Sequence, residues 1–318
     1  MTGRFRNVRV GVVCGGLSEE RAVSLATGRA AADALRRRGY DVVEIDGDRS
    51  LDIELRREEV GAVFNALHGT YGEDGRLQGM LDWMAIPYTG EGQRSSLLGF
   101  DKGLAKMLYR QADVPVARDY LVSLEQARRL TKDDVAFGFP LVVKPVAQGS
   151  SVGVFLVQTD DQFQAALDGI DASTVLIEEF VEGPEASVVV LGDRILGSVE
   201  IAAERAFYDY EAKYGNAGTE YFVPPRWSAE QIAAVERIGL AAHRALGCRS
   251  VTRTDVILGP SGPIALETNT LPGMTASSLV PKVAAAKGIQ FDELIELILD
   301  RAAYGPSDMG ECDGDESF

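Results

Sequence analysis

The chain has 318 residues, 46% hydrophobic and 25% charged, a globular composition long enough for two or three packed units. A formal net charge of −16 argues against a nucleic-acid partner or an anionic-membrane surface, since both select basic patches. Three scattered cysteines (Cys14, Cys248, Cys312), two histidines (His68, His243) and the lack of any membrane-length apolar run or secretory h-region predict no disulfide framework, no zinc knuckle, no membrane span and a cytoplasmic location.

"VRVGVV" (8–13) alternates and is β-branched, which predicts a strand. Ser18 is placed to cap the helix that follows, which carries Ala22, Val23, Leu25, Ala26 and Ala30 and stops at Gly39. "DVVEI" (41–45) and "GAVFNAL" (61–67) are the next strands. This rhythm predicts a parallel α/β unit over residues 1–95.

"GFDKGLAKMLYRQA" (99–112) reads as one helix. "PLVVKP" and "VGVFLVQ" read as strands joined by a small-residue loop, antiparallel because so short a loop cannot cover a crossover. A short helix (160–168) and "TVLIEEFV" complete a second, α+β unit over 96–183. A third unit, 184–304, opens on a hairpin (185–201) with a two-residue Gly192-Asp193 turn. "SAEQ" (228–231) is a capping box for a helix ending at Gly247. "SVTRTDVIL" and "PIALETNT" form a hairpin across "GPSG", and helices 277–287 and 291–303 close the unit. The end, 305–318, carries Asp308, Glu311, Asp313, Asp315 and Glu316 with no base and reads as a disordered acidic tail.

"VVKPVAQGSSVGV" (142–154) contains G-x-S-x-G, the pattern of a serine-hydrolase elbow. An elbow serine is followed by a helix and later by a triad histidine. Here Ser151 leads into a strand, and the one later histidine, His243, lies in an amphipathic helix. The alternative is a Gly/Ser loop that wraps an anion, with Lys144 supplying point charge for phosphate. No G-x-x-x-x-G-K-[ST] occurs, so a nucleotide site here is not a P-loop. A plain hairpin with a surface lysine fits the loop equally well.

The hairpin "RTDVIL"/"LETN" says more. Residues two apart on a strand share a face. Arg253 therefore points with Asp255 and Glu267 with Asn269, and pairing the strands gathers all four. Asp, Glu and Asn oxygens beside phosphate suit Mg²⁺. A salt-bridged solvent face is the bland alternative, but these polar residues stand directly between apolar ones and a Pro-Gly turn, and we read a metal site.

With both pieces in view the chain resembles the D-alanine–D-alanine ligases of the ATP-grasp superfamily over residues 8–303. The resemblance is carried by "GGLSEERAVSL", "ALHGTYGEDG", "AIPYTG", "DKGLAK", "VVKPVAQGSSVG", "FYDYEAKY", "RTDVIL" and "ETNTLPGMTASSLVP", in that order. It implies a three-part α/β (α+β) ATP-grasp fold and a cytoplasmic homodimer. It also implies joining of two D-alanines through an acyl phosphate, with ATP and two Mg²⁺ (or Mn²⁺) ions, for peptidoglycan precursor.

By the same resemblance, Lys102 and Lys144 would meet ATP phosphates, with Ser150 and Ser151 folding over them. Glu178 and the backbone at Phe180 and Val181 would hold adenine, and Glu185 the ribose. Asp255, Glu267 and Asn269 would carry the metal. Arg253 and the Gly273 N–H would face the oxyanion. Glu20 would take the first substrate's ammonium, with His68 lining its pocket. Ser278 and Leu279 would receive the second substrate's carboxylate. Lys213 would reach the transferred phosphate, and Tyr214 would close a lid onto Ser150 and Glu20. Three departures from the family pattern lie at or near the substrate pocket: Ala22 where a second acid is usual, Leu271 where a small or polar residue is, and Ser277 where a histidine often stands. They leave D-lactate, D-serine or another amino acid as alternative second substrates.

Overall fold

A computed structural model describes residues 3–131, 134–148, 153–202 and 219–305. Strand β1 (Arg9–Cys14) is buried along five of its six residues. It is the centre of a parallel three-stranded sheet of order β2-β1-β3, where both faces are covered and an unbroken apolar run is the stable pattern. Its partners are β2 (Asp41–Asp46) and β3 (Val60–Asn65). Helix α1 (Arg21–Arg37) packs on this sheet through small residues. A Cβ at Gly28 would lie 2.3 Å from that of Cys14, so glycine sets the helix–strand spacing. The chain leaves α1 through Gly39 at φ +85°, which glycine adopts without penalty.

Helices α2 (Leu51–Arg57), α3 (Arg76–Trp83) and α4 (Gln93–Phe100) were not expected. Each has two turns or so, too few for a 3.6-residue period to stand out. The helix expected over 99–112 is a correction. Asp101 is extended (φ −88°, ψ 103°) and ends α4, while its side chain accepts from the Leu104 N–H to cap α5 (Lys102–Gln111). The break orients α5 independently of α4.

A second sheet, of order β4-β7-β5-β6, is antiparallel throughout. It contains β4 (Asp119–Ser123), β5 (Leu141–Pro145), β6 (Phe155–Val157) and β7 (Thr174–Glu179). Alternation sends Leu141, Val143, Val175 and Ile177 into a core with Phe163 and Leu167. The last two belong to α7 (Asp160–Asp168), and the one-turn α6 (Leu124–Ala127) follows β4. Val142, Lys144, Leu176 and Glu178 face the other way, toward α5.

The third sheet, of order β10-β9-β8-β11-β12, pairs β8 (Glu185–Leu191) with β9 (Arg194–Ala202) across the expected Gly192-Asp193 turn. β10 (Glu220–Phe222) forms one edge. β11 (Val251–Gly259) and β12 (Gly262–Asn269) form the expected hairpin. Helix α8 (Ala229–Ala245) starts with the predicted capping box of Ser228 and Gln231 and lies on the sheet, with Gly239 against Val188. Helices α9 (Leu279–Ala286) and α10 (Phe291–Leu299) follow, shorter than the sequence suggested. Their apolar faces share one core with Val10, Val12 and Leu35 of the first sheet and helix, so the chain's last helices return to its beginning.

Candidate active site

The β11–β12 register opposes Arg253 to Asn269 and Asp255 to Glu267. Asp255 is buried, yet both its oxygens are engaged. Arg253 donates to them at 3.0 and 2.9 Å, and the Ser187 hydroxyl, on the neighbouring strand, donates at 2.5 Å. Asn269 Oδ1 accepts from the Leu271 N–H at 2.9 Å, which starts the turn toward Pro272 and Gly273. The hairpin connects directly to α5, where Lys102 Nζ stands 3.2 Å from Glu267 Oε2 and donates to the Gln148 carbonyl at 2.7 Å. One lysine thus ties the acidic hairpin to the start of the small-residue loop.

Lys144, on β5, reaches Glu178, on β7, at 2.6 Å. The other Glu178 oxygen is paired with Lys106 of α5. Burial alone would push the Glu178 carboxyl up; the two ammonium groups outweigh it and hold the carboxyl below its ordinary range. Burial brings Lys106 down to about 8, against the pull of Glu178. Beyond Glu178 the Phe180 N–H bonds back to the Pro140 carbonyl at 3.3 Å, Val181 packs on Gly259, and Glu185 opens β8.

A third group joins the two ends of the chain. A Cβ on Gly69 would lie 2.6 Å from Glu20 Oε2, so the Glu20 carboxylate covers that glycine. The adjacent His68 is buried between Thr27 (3.1 Å) and Glu73 (3.4 Å). A Cβ on Gly273 would meet the Ser278 hydroxyl at 3.1 Å and the His68 ring at 3.9 Å. Ser278 precedes α9, of which Leu279 is the first residue, and its hydroxyl accepts from the Thr275 N–H at 3.0 Å. A small cavity lined by Thr27, His68, Leu271, Pro272 and Met274 lies behind this group.

Residues 108–300 match the family model described as D-ala D-ala ligase C-terminus, and 48–91 match D-ala D-ala ligase N-terminus. The D-alanine–D-alanine ligase of Anaeromyxobacter sp. (strain K) is 48% identical over 298 residues, 93% of this chain and 97% of that protein. The chain belongs to the D-alanine–D-alanine ligase family. Its fold is the ATP-grasp architecture. The solved Bacillus anthracis D-alanine–D-alanine ligase complexed with ATP superposes with a TM-score of 0.82 at 34% identity, covering 92% of this chain and 96% of that one. The VanG D-Ala:D-Ser ligase of Enterococcus faecalis gives 0.80 at 27% identity, covering 92% and 98%.

For this member of the D-alanine–D-alanine ligase family, the sequence reading needs corrections at the site. Ser18 does not cap α1; its hydroxyl donates to the His68 carbonyl at 2.6 Å. The cap residue is Glu20, whose side chain makes no capping bond. Ser150, Ser151, Lys213 and Tyr214 lie outside the described residues, as does the acidic end from 306. Two residues were missed. Lys106 stands four after Lys102 in "DKGLAK", a spacing that puts both on one helix face and could have been noticed. Ser187 opposes Asp255 only through strand register, which no local motif encodes.

Proposed function

We propose that the chain joins two D-alanines to D-alanyl-D-alanine at the expense of ATP. We place the reaction in the cytoplasm, in a homodimer that supplies peptidoglycan precursor. The observation that supports this reading is the Lys102–Glu267 contact at 3.2 Å, which brings the lysine expected to meet phosphate to the acidic hairpin in a chain of this family. On the same reading the chain divides into a substrate unit (1–95), a central unit (96–183) and a metal-binding unit (184–304).

The first D-alanine carboxylate attacks the γ-phosphorus, the bond to the ADP oxygen breaks, and an acyl phosphate forms. Two anions must approach for this, and Lys102 and Lys144, as cations, lower that repulsion. Glu20 pairs the substrate ammonium. The amine of the second D-alanine, its carboxylate held at Ser278 and Leu279, attacks the acyl carbon to close the C–N bond; the oxyanion so formed collapses, and inorganic phosphate leaves carrying the nitrogen's extra proton. Arg253, gripped by Asp255 in a two-point pair, and the Gly273 N–H face the oxyanion of that step. Adenine would lie at Glu178 and the Phe180–Val181 backbone, with the ribose at Glu185. Ser150, Ser151, Lys213 and Tyr214 enter on their motifs alone, the last two as a lid that excludes water from the acyl phosphate.

Asp255, Glu267 and Asn269 offer only hard oxygen donors from paired register positions, a set that fits Mg²⁺ or Mn²⁺. Two such ions, held there, would supply positive charge between the phosphates. Glu267→Ala should abolish ADP formation while leaving the circular dichroism spectrum and thermal transition close to wild type. Full turnover by that variant, or by wild type in excess chelator, would remove the metal assignment.

A second reading keeps the first step and changes the acceptor to D-serine. It is supported by the likeness to the VanG D-Ala:D-Ser ligase.

A further inference from the structure

Glu178 carries two lysines, and they are not equivalent. Lys144 sits at the end of β5 just before the small-residue loop. Lys106 is fully buried in the middle of α5, with its ammonium on Glu178 and 3.4 Å from the Ala117 carbonyl. Neighbouring charges on this face are committed elsewhere. Asp119, opposite Glu178 in the β4–β7 register, is paired with Arg110, one turn beyond Lys106. Glu179 points to the other face and pairs with Arg118.

If Lys144 leaves to meet phosphate, Glu178 would be a buried carboxylate with one cation remaining. A lone buried carboxylate takes up a proton. Protonated, it is a donor as well as an acceptor and no longer discriminates between an amino group and a carbonyl on the base. We propose that Lys106 is a positioning residue for base selection: it stays with Glu178 when Lys144 turns to phosphate and holds the carboxylate as an acceptor for the adenine amino group. This rests on the reading that Glu178 faces adenine. Guanine presents a carbonyl oxygen at the same place and is repelled by a fixed acceptor. Sites that hydrogen-bond one substrate group reject the analogue that leaves them unpaired.

The test compares ATP with GTP in the full-length protein, using Lys106→Met, which keeps length and apolar stem, and Glu178→Gln as the reference. Lys106→Met should raise KM for ATP about tenfold with kcat changed less than about threefold. It should lower the ATP:GTP ratio of kcat/KM by about tenfold. A purely structural lysine would affect both nucleotides alike. If the ratio falls in Glu178→Gln but stays at the wild-type value in Lys106→Met, the role of Lys106 is overturned and the adenine site stands. An unchanged ratio in both variants overturns the adenine site as well. Should Lys106→Met fail to fold, the double variant Lys106→Met/Glu178→Gln removes both charges together. Its ATP:GTP ratio should then equal that of Glu178→Gln alone, and a further, additive fall would overturn the proposal.

Discussion

Glu91 shows how much one buried carboxylate can carry. It is 1% exposed, and its oxygens accept from the Arg249 and Ser250 N–H groups, which fastens the segment before α4 to the start of β11. Its ligand atoms lie near those of His243 and Cys248, all within 4.8 Å of one another. With the Glu91 oxygens on backbone donors and His243 Nδ1 on Thr252 at 2.7 Å, the cluster reads as a joint rather than a metal site. Burial raises the Glu91 carboxyl to about 7, against the pull of the two N–H groups. A carboxyl raised on folding binds its proton more tightly in the folded state. Its stabilising contribution is therefore full below about pH 4.5 and is lost as pH rises through about 7. Glu91→Gln, which cannot ionise, should gain on wild type by on the order of 3 kcal/mol between pH 4.5 and 8. Thermal unfolding of both proteins across that range checks this, and a pH-independent difference would contradict it. Little of this was legible in "AIPYTGEGQ": a glutamate between two glycines looks like a solvated turn until its distant N–H partners are known.

At the scale of elements, the break at Asp101 aims α5 at the acidic hairpin and at Glu178. A continuous helix through "GFDKGLAK" would carry α4 and α5 on one axis. The Asp101 cap lets α5 start afresh with Lys102 on Glu267 and Lys106 on Glu178. Asp101→Ala should cost about 1 kcal/mol through the lost cap and raise KM for ATP several-fold, while Asp101→Asn, which can still accept from the Leu104 N–H, should restore most of both. Equal ATP affinity in Asp101→Ala and wild type would detach the cap from the site. The hairpins were readable because their turn residues and period-2 patterns are local. Gly192-Asp193 and "GPSG" each placed two strands correctly, and the β11–β12 pairing brought Arg253, Asp255, Glu267 and Asn269 together as spacing predicted. The α4–α5 break was not readable, because aspartate within a helical pattern is a modest penalty in propensity terms and becomes decisive only as a cap.

At the scale of the molecule, the first and last parts of the chain are joined through Glu296 of α10. This buried carboxylate accepts from the Tyr40 hydroxyl at 2.9 Å and from Arg6 at 2.8 Å, and is paired with Arg38. Burial would raise it; Arg38, Tyr40 and Arg6 together hold it below its ordinary range. Glu296→Ala should destabilise the protein by about 2 kcal/mol, less than for a fully buried pair because the arginines keep access to water. A thermal midpoint within about 1 °C of wild type would contradict this. Such long-range joints are the least legible feature of a sequence, whereas the motifs of the site announced the ligase chemistry early because they are local and ordered along the chain. The central claim is the reaction itself. Its most direct test is ADP release and product identity, measured with ATP and Mg²⁺ against D-alanine, D-serine, D-lactate and L-alanine. The account predicts one ADP per D-alanyl-D-alanine formed and little ADP with L-alanine alone. No ADP with D-alanine, or preference for D-lactate as acceptor at neutral pH, would contradict it.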